Sequence, residues 1–438
     1  MPTLSVIMIV KNEATCLAEC LQSVAAIADE IVIGDTGSDD DTVAIAQQFG
    51  ARVIDVPWTD DFSAARNETI RAATGDWLLH LDADEALDDE NASAIRQIVD
   101  NETEAEAVEL TLLNYCNDIH AWRWTPVDPA HPMTRGFAGC LPVGLLRLFR
   151  RDRGFAYREA VHENITASVL ARKGKIATSS IAIHHYGYEC EPEQRSRKAQ
   201  LYLKLARKKR AAHPDDLKCL HDLAEQAMAC GETREAEEAC RAALALAPGN
   251  VELSTVLSTI LLERDEIEAA RDVLLTLERD GQGPAHAQIV LGVIAAYRGD
   301  WTEAEERLGS VIAAQSVAPL ATLCLARVRD YQGACDDAQE LIRALTRKAP
   351  NLEEARKRLQ AHELRSAGED AFLDGNREEA LKLLVQALAL DAEDGLIHND
   401  LGVLLHTMGE RNRARDSFER ALKLAPALKD ARDNLAQL

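Results

Sequence analysis

Asp82 and Asp84 stand one residue apart, directly after the apolar run Trp77–Leu81. Two carboxylates at the end of a strand can share one hard divalent cation, which prefers oxygen ligands. A cation held there can neutralise a diphosphate as it leaves. Asp-x-Asp is common in acidic loops, so its neighbours carry the weight. Asp35-Thr36-Gly37-Ser38 closes an earlier apolar run, Ala65-Arg66-Asn67 lies in the helical stretch before Trp77, and Gly75-Asp76-Trp77 leads into the acidic triplet.

The elements that must position these residues follow from hydrophobic period. Leu4–Val10, Glu30–Asp35, Arg52–Val56 and Trp77–Leu81 read as strands. Glu13–Ala28, with Leu17, Leu21, Val24 and Ala28 on one face, reads as a helix, as do Asp40–Phe49 and Phe62–Ala73. Strand and helix alternate through short links, which predicts a parallel sheet covered by helices. Ligands of such sheets sit beyond the carboxyl ends of the strands, where Asp35 and Asp82 both fall. Asp39 is expected to cap the helix that follows it.

The second half is periodic. Leu223-Ala224, Leu257-Ser258, Leu291-Gly292 and Leu325-Ala326 recur every 34 residues, with Gly231, Gly299 and Gly333, and Ala236, Ala270, Ala304 and Ala338, at matching offsets. After an insertion at 353–360, expected to lengthen a helix, the pattern resumes at Ala367-Gly368 and Leu401-Gly402. Pro248, Pro350 and Pro426 end second helices. A 34-residue unit of this kind resembles the tetratricopeptide repeat, two antiparallel helices that stack into a concave superhelix. The expected divisions are a domain over 1–190, a helical connector over 191–216, and repeats over 217–438. The repeat units are 217–250, 251–284, 285–318, 319–352, 361–394 and 395–428, with a cap helix over 429–438. The connector carries Lys204, Arg207, Lys208, Lys209 and Arg210, either a solvated helix face or an anion site.

Seven ordered pieces of the first half carry a further resemblance. They are Ser5–Glu13, Asp35–Asp40, Phe62–Asn67, Leu81–Glu85, Arg147–Arg150, Val161-His162-Glu163 and His185-Tyr186-Gly187-Tyr188. Residues 1 to about 190 thereby resemble a family-2 glycosyltransferase with the GT-A nucleotide-diphospho-sugar fold. The branch it resembles holds bacterial lipopolysaccharide-core and peptide glycosyltransferases, some with appended tetratricopeptide repeats. The resemblance implies an inverting hexosyl- or N-acetylhexosaminyl-transferase that uses a UDP-sugar and Mn²⁺ or Mg²⁺. It implies that Asp35 meets the nucleotide base, Asp82 the ribose and the metal, Asp84 the metal, and Arg66 the acidic loop or diphosphate. A single displacement needs a base for the acceptor proton, and the resemblance points to Glu163. Glu85, beside the triplet, suits a supporting role. His185 or His162 could add a nitrogen ligand. For each of these residues a purely structural role competes: a turn or cap for Asp35, an exposed polar turn for Asp82 and Asp84, a salt bridge for Arg66, a surface carboxylate for Glu163. The relatives often follow the Tyr-Gly-Tyr motif with Arg-Asn, whereas Ala199-Gln200 stand here, so the helix is expected and that contact is not. Asn114–Gly144, with Trp122 and Trp124, suits either a loop over the acceptor or plain packing.

Composition narrows the function classes. A net charge of −24 argues against binding a nucleic-acid polymer. The first apolar run is too short for a membrane span and lacks the flanks of a signal peptide. Ten cysteines without a Cys-x-x-Cys pair suit buried thiols in a reducing cytoplasm. The expectation is a cytoplasmic enzyme whose repeats hold a protein or peptide acceptor. The alternatives are a lipopolysaccharide-core or other saccharide acceptor, and a non-catalytic adaptor built on a degenerate transferase domain.

Overall fold

A computed structural model of the chain describes residues 1–101, 104–121, 123–160, 163–187, 192–278, 283–314 and 318–438. It forms two compact units, one of residues 1–135 with 139–247, the other of 136–138 with 248–438.

The first unit is built on one strand. Leu4–Val10 (β1) is buried along its length except at half-buried Ile9, as befits a strand covered on both faces. It pairs in parallel with Glu30–Asp35 (β2) and Trp77–His80 (β4), and β2 pairs in parallel with Arg52–Asp55 (β3). Beyond β4 the expected parallel sheet becomes mixed. Gly139–Arg150 (β8) runs antiparallel to β4, and Ala107–Cys116 (β6) antiparallel to β8. Ile176–His185 (β9) is parallel to β6, and the two-residue Glu85–Ala86 (β5) is antiparallel to β9. The order is β3-β2-β1-β4-β8-β6-β9-β5, with Thr125–Pro126 (β7) beside β8. The reason for the change lies in the connection: no α-helix among the described residues joins β6 to β8, and parallel neighbours need such a crossover.

Helices cover both faces. Leu17–Val24 (α1), Thr42–Gln48 (α2) and Asp89–Asp100 (α4) pack Leu21, Ala46 and Ile95 on one side. Phe62–Ala72 (α3) and Thr166–Ala171 (α5) pack Ile70 and Val169 against Ile7, Leu78 and Phe149 on the other. Asp61 starts α3 by accepting the Ala64 N–H at 2.9 Å, which sets the turn on which Arg66 lies. The expected Asp39 cap is not seen at α2: Asp41 holds the N-cap position without a side-chain cap, and Asp40 accepts the Thr42 N–H at 2.9 Å. Asp39 is tied by its own N–H to Asn12.

Pro192–Ala212 (α6), Leu217–Ala229 (α7) and Thr233–Leu246 (α8) complete the first unit. From residue 248 on, the second unit's described residues are helices joined by turns: Val251–Glu263 (α9), Ile267–Leu275 (α10), Ala285–Arg298 (α11), Trp301–Ala314 (α12), Pro319–Tyr331 (α13), Cys335–Lys348 (α14), Glu353–Leu373 (α15), Arg377–Leu390 (α16), Gly395–Thr407 (α17), Arg411–Leu424 (α18) and Lys429–Ala436 (α19). Helices pack in consecutive pairs. The small residues let them close: a Cβ at Gly402 would stand 2.6 Å from the Phe418 ring. The insertion makes α15 one unbroken helix of 21 residues. It sets His362 3.0 Å from Asp330, and Arg365 3.4 Å from Asp330 and 3.5 Å from Asp400.

Candidate active site

Asp82 leaves the carboxyl end of β4 into a set of buried charges. Arg66, reaching in from α3, donates from Nη1 to Asp82 Oδ1 at 2.9 Å and from Nε to Glu163 Oε1 at 2.7 Å. Arg147, on β8, lies 3.4 Å from Asp82 Oδ2 and donates to Glu85 Oε1 at 2.7 Å. The β4–β8 pairing brings Arg147 to this place. Burial opposes the charge on Asp82, yet Arg66, Arg147 and His80 together hold its pKa well below the ordinary aspartate value. Glu85 is nearly inaccessible, with its other oxygen accepting the Asp82 N–H at 2.8 Å. Burial pushes Glu85 up to about 7, against the pull of Arg147 and with a push from Asp82.

His80 ends β4 among the same groups. It contacts Arg66 and Arg147, with Tyr157 Oη 2.6 Å from Nδ1 and Asp82 Oδ1 3.3 Å from Nε2. Burial, then the charges of Arg147 and Arg66, drive its pKa far below that of a free histidine, so the ring is neutral.

Asp84 takes the other direction. Because β5 pairs with β9 and β6 with β9, His185 lies between Asp84 and Asn114. Its Nε2 is 3.2 Å from Asp84 Oδ2 and its Nδ1 is 2.6 Å from Asn114 Oδ1. Donation from Nδ1 to the amide oxygen leaves Nε2 for Asp84 or for a shared cation. Burial lowers the His185 pKa, but Asp84, Glu85 and Asp82 more than reverse this, and the net shift is upward. Gly187 leaves the space for this contact, since a Cβ there would stand 2.5 Å from Nε2 and 2.9 Å from Asp84 Oδ2. One carboxylate and one oriented imidazole, cleared of side-chain bulk, are a donor set that fits a divalent cation of borderline hardness.

Asp35 ends β2, two strands from β4 and so about 10 Å across the sheet. Its carboxylate accepts the N–H groups of Gly37 and Ser38 at 3.2 Å. The structure thus joins Arg66, Asp82 and Glu163, pairs Asp84 with His185, and keeps Asp35 apart from both. His162 lies outside the described residues. Of the stretch 114–144, residues 114–116, 125–126 and 139–144 are strand and the described residues between them are turns and a short Pro132–Thr134 helix, while Trp124 packs where Gly139 lacks a side chain and its Nε1 donates to the Cys116 carbonyl. That is a packing role; Trp122 lies outside the described residues. His80, Arg147, Tyr157 and Asn114 received no role from sequence. An arginine inside the apolar Leu145–Phe149 run and a histidine before Asp82 were the available signals.

Residues 5–164 match the model of glycosyl transferase family 2, and 227–292 and 365–429 match tetratricopeptide repeat models. A TPR repeat-containing protein of Synechococcus elongatus is 36% identical over 223 residues, 49% of this chain and 50% of that one. An uncharacterized glycosyltransferase of Rickettsia felis is 41% identical over 98 residues, 22% of this chain and 34% of its own. This chain thus spans half the length of the first relative and a third of the second. The crystal structure of glucosyl-3-phosphoglycerate synthase from Mycobacterium tuberculosis, in complex with Mn²⁺, UDP and glucosyl-3-phosphoglycerate, is 17% identical with a TM-score of 0.32, covering 47% of this chain and 78% of that one. The chain carries a family-2 glycosyltransferase domain toward its N-terminal end, followed by tetratricopeptide repeats.

Proposed function

We propose that this chain is an inverting, cation-dependent enzyme that moves a hexosyl or N-acetylhexosaminyl group from a UDP-sugar to a protein or peptide held by its repeats. The observation that carries this reading is the linkage of Asp82, Arg66 and Glu163 in one network beside the Asp84–His185 pair. Residues 1–190 are the transferase domain in this reading, 191–216 the connector and 217–438 the repeats.

Asp84 and His185, with Asp82 beside them, would hold Mn²⁺ or Mg²⁺, which supplies positive charge to the departing diphosphate. Asp35 retains lone pairs for an N–H of the nucleotide base, and its distance from β4 suits a base at one end and a diphosphate at the other. Arg66 is shared between Asp82 and Glu163. A diphosphate competes for that guanidinium through charge-assisted hydrogen bonds. Glu163, released from its ion pair, then accepts the proton of the acceptor as the acceptor atom bonds to the anomeric carbon. The bond to the diphosphate breaks and its electrons leave with UDP. Neutral His80 and buried Arg147 hold Asp82 in place without adding a competing base.

Calorimetry with UDP tests the donor site. Binding that strengthens on adding Mn²⁺, and loses that gain in Asp84→Ala, is the expected result. No heat at millimolar UDP, with or without Mn²⁺, would refute the reading in favour of a non-catalytic adaptor.

A further inference from the structure

The loop that presents Glu163 is fastened at its near end. Arg158 and Asn164 form an antiparallel bridge, which brings Glu159 and Glu163 onto neighbouring stretches of chain. Tyr157, just before it, exchanges hydrogen bonds with Asn67 of α3, at 2.8 and 3.0 Å. The Ala160 carbonyl accepts the Phe62 N–H at 3.0 Å, and the Glu159 carbonyl accepts from the Ser63 hydroxyl at 2.5 Å. These contacts tie the loop to the start of the helix that bears Arg66.

The Glu159 side chain makes a different connection. Its carboxylate pairs with Lys209 of α6 and, at 2.9 Å, with Lys218 of α7. Lys209 in turn lies 2.8 Å from Asp222 of α7, whose side chain is 7% exposed. Nearby, Tyr202 of α6 meets the Phe62 ring edge-on with centroids 5.9 Å apart. Glu159 has φ +78°, a left-handed conformation that a glutamate keeps only where its surroundings hold it. Burial works against its charge, but the two lysines hold its pKa below the ordinary glutamate value.

We infer that the Glu159–Lys209–Lys218 ion cluster is a positioning device, through which the connector helix and the first repeat helix fix the loop that carries Glu163. The inference rests on the reading of Glu163 as the acceptor base. It makes Glu159, Lys209 and Lys218 positioning residues, four to some fifty residues away in sequence. The state of the first repeat helix then acts on Glu163 first, and reaches Asp82 only through the Arg66 that the two share.

Glu159→Gln in the full chain is the test, because it removes the loop's charge and leaves the Lys209–Asp222 pair intact. Lys209→Arg is the conservative control. Hydrogen exchange of residues 155–160 and 163–165 should quicken in Glu159→Gln while exchange in α1 and α4 stays unchanged. With a UDP-sugar that the wild type turns over, kcat should fall about tenfold with the donor KM held within about twofold, as expected when a catalytic group is misplaced. Lys209→Arg should retain kcat within about twofold. Unchanged exchange, or quickened exchange with unchanged kcat, would overturn the inference. A rise in exchange across the whole unit would overturn it too, since that is a general structural role. A wild type inert toward every donor, with exchange still quickened in Glu159→Gln, would refute the transferase reading and uphold the coupling of the loop to the helices.

Discussion

Arg147→Met removes one of the two buried arginine cations of the site and keeps most of its apolar stem. The Arg147 side chain is 7% exposed, and its partner Glu85 is 1% exposed. Without Arg147 the Glu85 carboxylate is buried against an excess of negative charge. Removing one partner of such a pair costs about 3–5 kcal/mol at a pH where the other stays ionised. The cost depends on pH, and its sign can be worked out. Burial lifts Glu85 from 4.5 to about 7 in the folded chain, despite Arg147. A carboxyl raised in this way binds its proton more tightly when folded, so it lowers stability as pH rises from its unfolded pKa through its folded one. That interval corresponds to about 3 kcal/mol in the wild type. Near pH 5.5 Glu85 is already protonated, and Arg147→Met should then cost only about 1–2 kcal/mol, for the lost hydrogen bond to Glu85 and the 3.4 Å contact to Asp82, which keeps its pair with Arg66. Near pH 8 the full penalty of about 3–5 kcal/mol should return. Urea unfolding followed by tryptophan fluorescence reads the relevant domain, since Trp58, Trp77, Trp122 and Trp124 precede the repeats and Trp301 alone lies within them. Equal losses at the two pH values, or a loss below about 1 kcal/mol near pH 8, would refute the assignment of Glu85 as a carboxyl held by Arg147.

Other perturbations have expected outcomes as well. Gly187→Ala should place a methyl group against His185 and weaken Mn²⁺-dependent UDP binding by about tenfold or more, with little change in melting temperature; calorimetry and thermal melts read the two separately. Asn114→Ala should free the His185 ring and cost about 10–100-fold in cation affinity, measured by Mn²⁺ titration in the presence of UDP. Arg66→Met should weaken UDP binding while leaving Glu163 without its ion pair, so turnover should fall more than affinity does. Gly402→Val should crowd the Phe418 ring and destabilise the repeats by about 1–3 kcal/mol, read by circular dichroism at the helical minimum.

Much of this architecture is legible because it is local. β1, β2 and β4 are short apolar runs between turn residues, α1 carries its own apolar spacing, and α3 its own cap at Asp61. The repeats announce themselves by the return of small residues, and Gly402 shows the physical reason. The triplet Asp82-Ala83-Asp84 stands out at the end of its apolar run, whereas Arg66 and Glu163 are singled out only by the family resemblance. The rest depends on pairings distant in sequence. Arg147 reaches Asp82 only because β8 runs antiparallel to β4, and Asn114 reaches His185 only through the β6–β9 register. The stretch 114–144, with its prolines and tryptophans, suggested an acceptor loop. Pairing between β6 and β8 takes only its two ends, 114–116 and 139–144, the described residues between are mostly turns, and Trp124 serves packing. Asp39 does not cap because the helix begins at Thr42, two residues later than expected, which leaves Asp40 to meet the Thr42 N–H.

The central claim is that Asp84 and His185 anchor a cation-dependent transfer from a UDP-sugar. Release of UDP from a panel of UDP-sugars, compared with and without Mn²⁺ for the wild type and Asp84→Ala, tests it most directly. The account predicts release from at least one donor that requires the cation and disappears in Asp84→Ala while the melting temperature is unchanged. Release that persists in excess chelator, or that Asp84→Ala leaves at the wild-type rate, would contradict it.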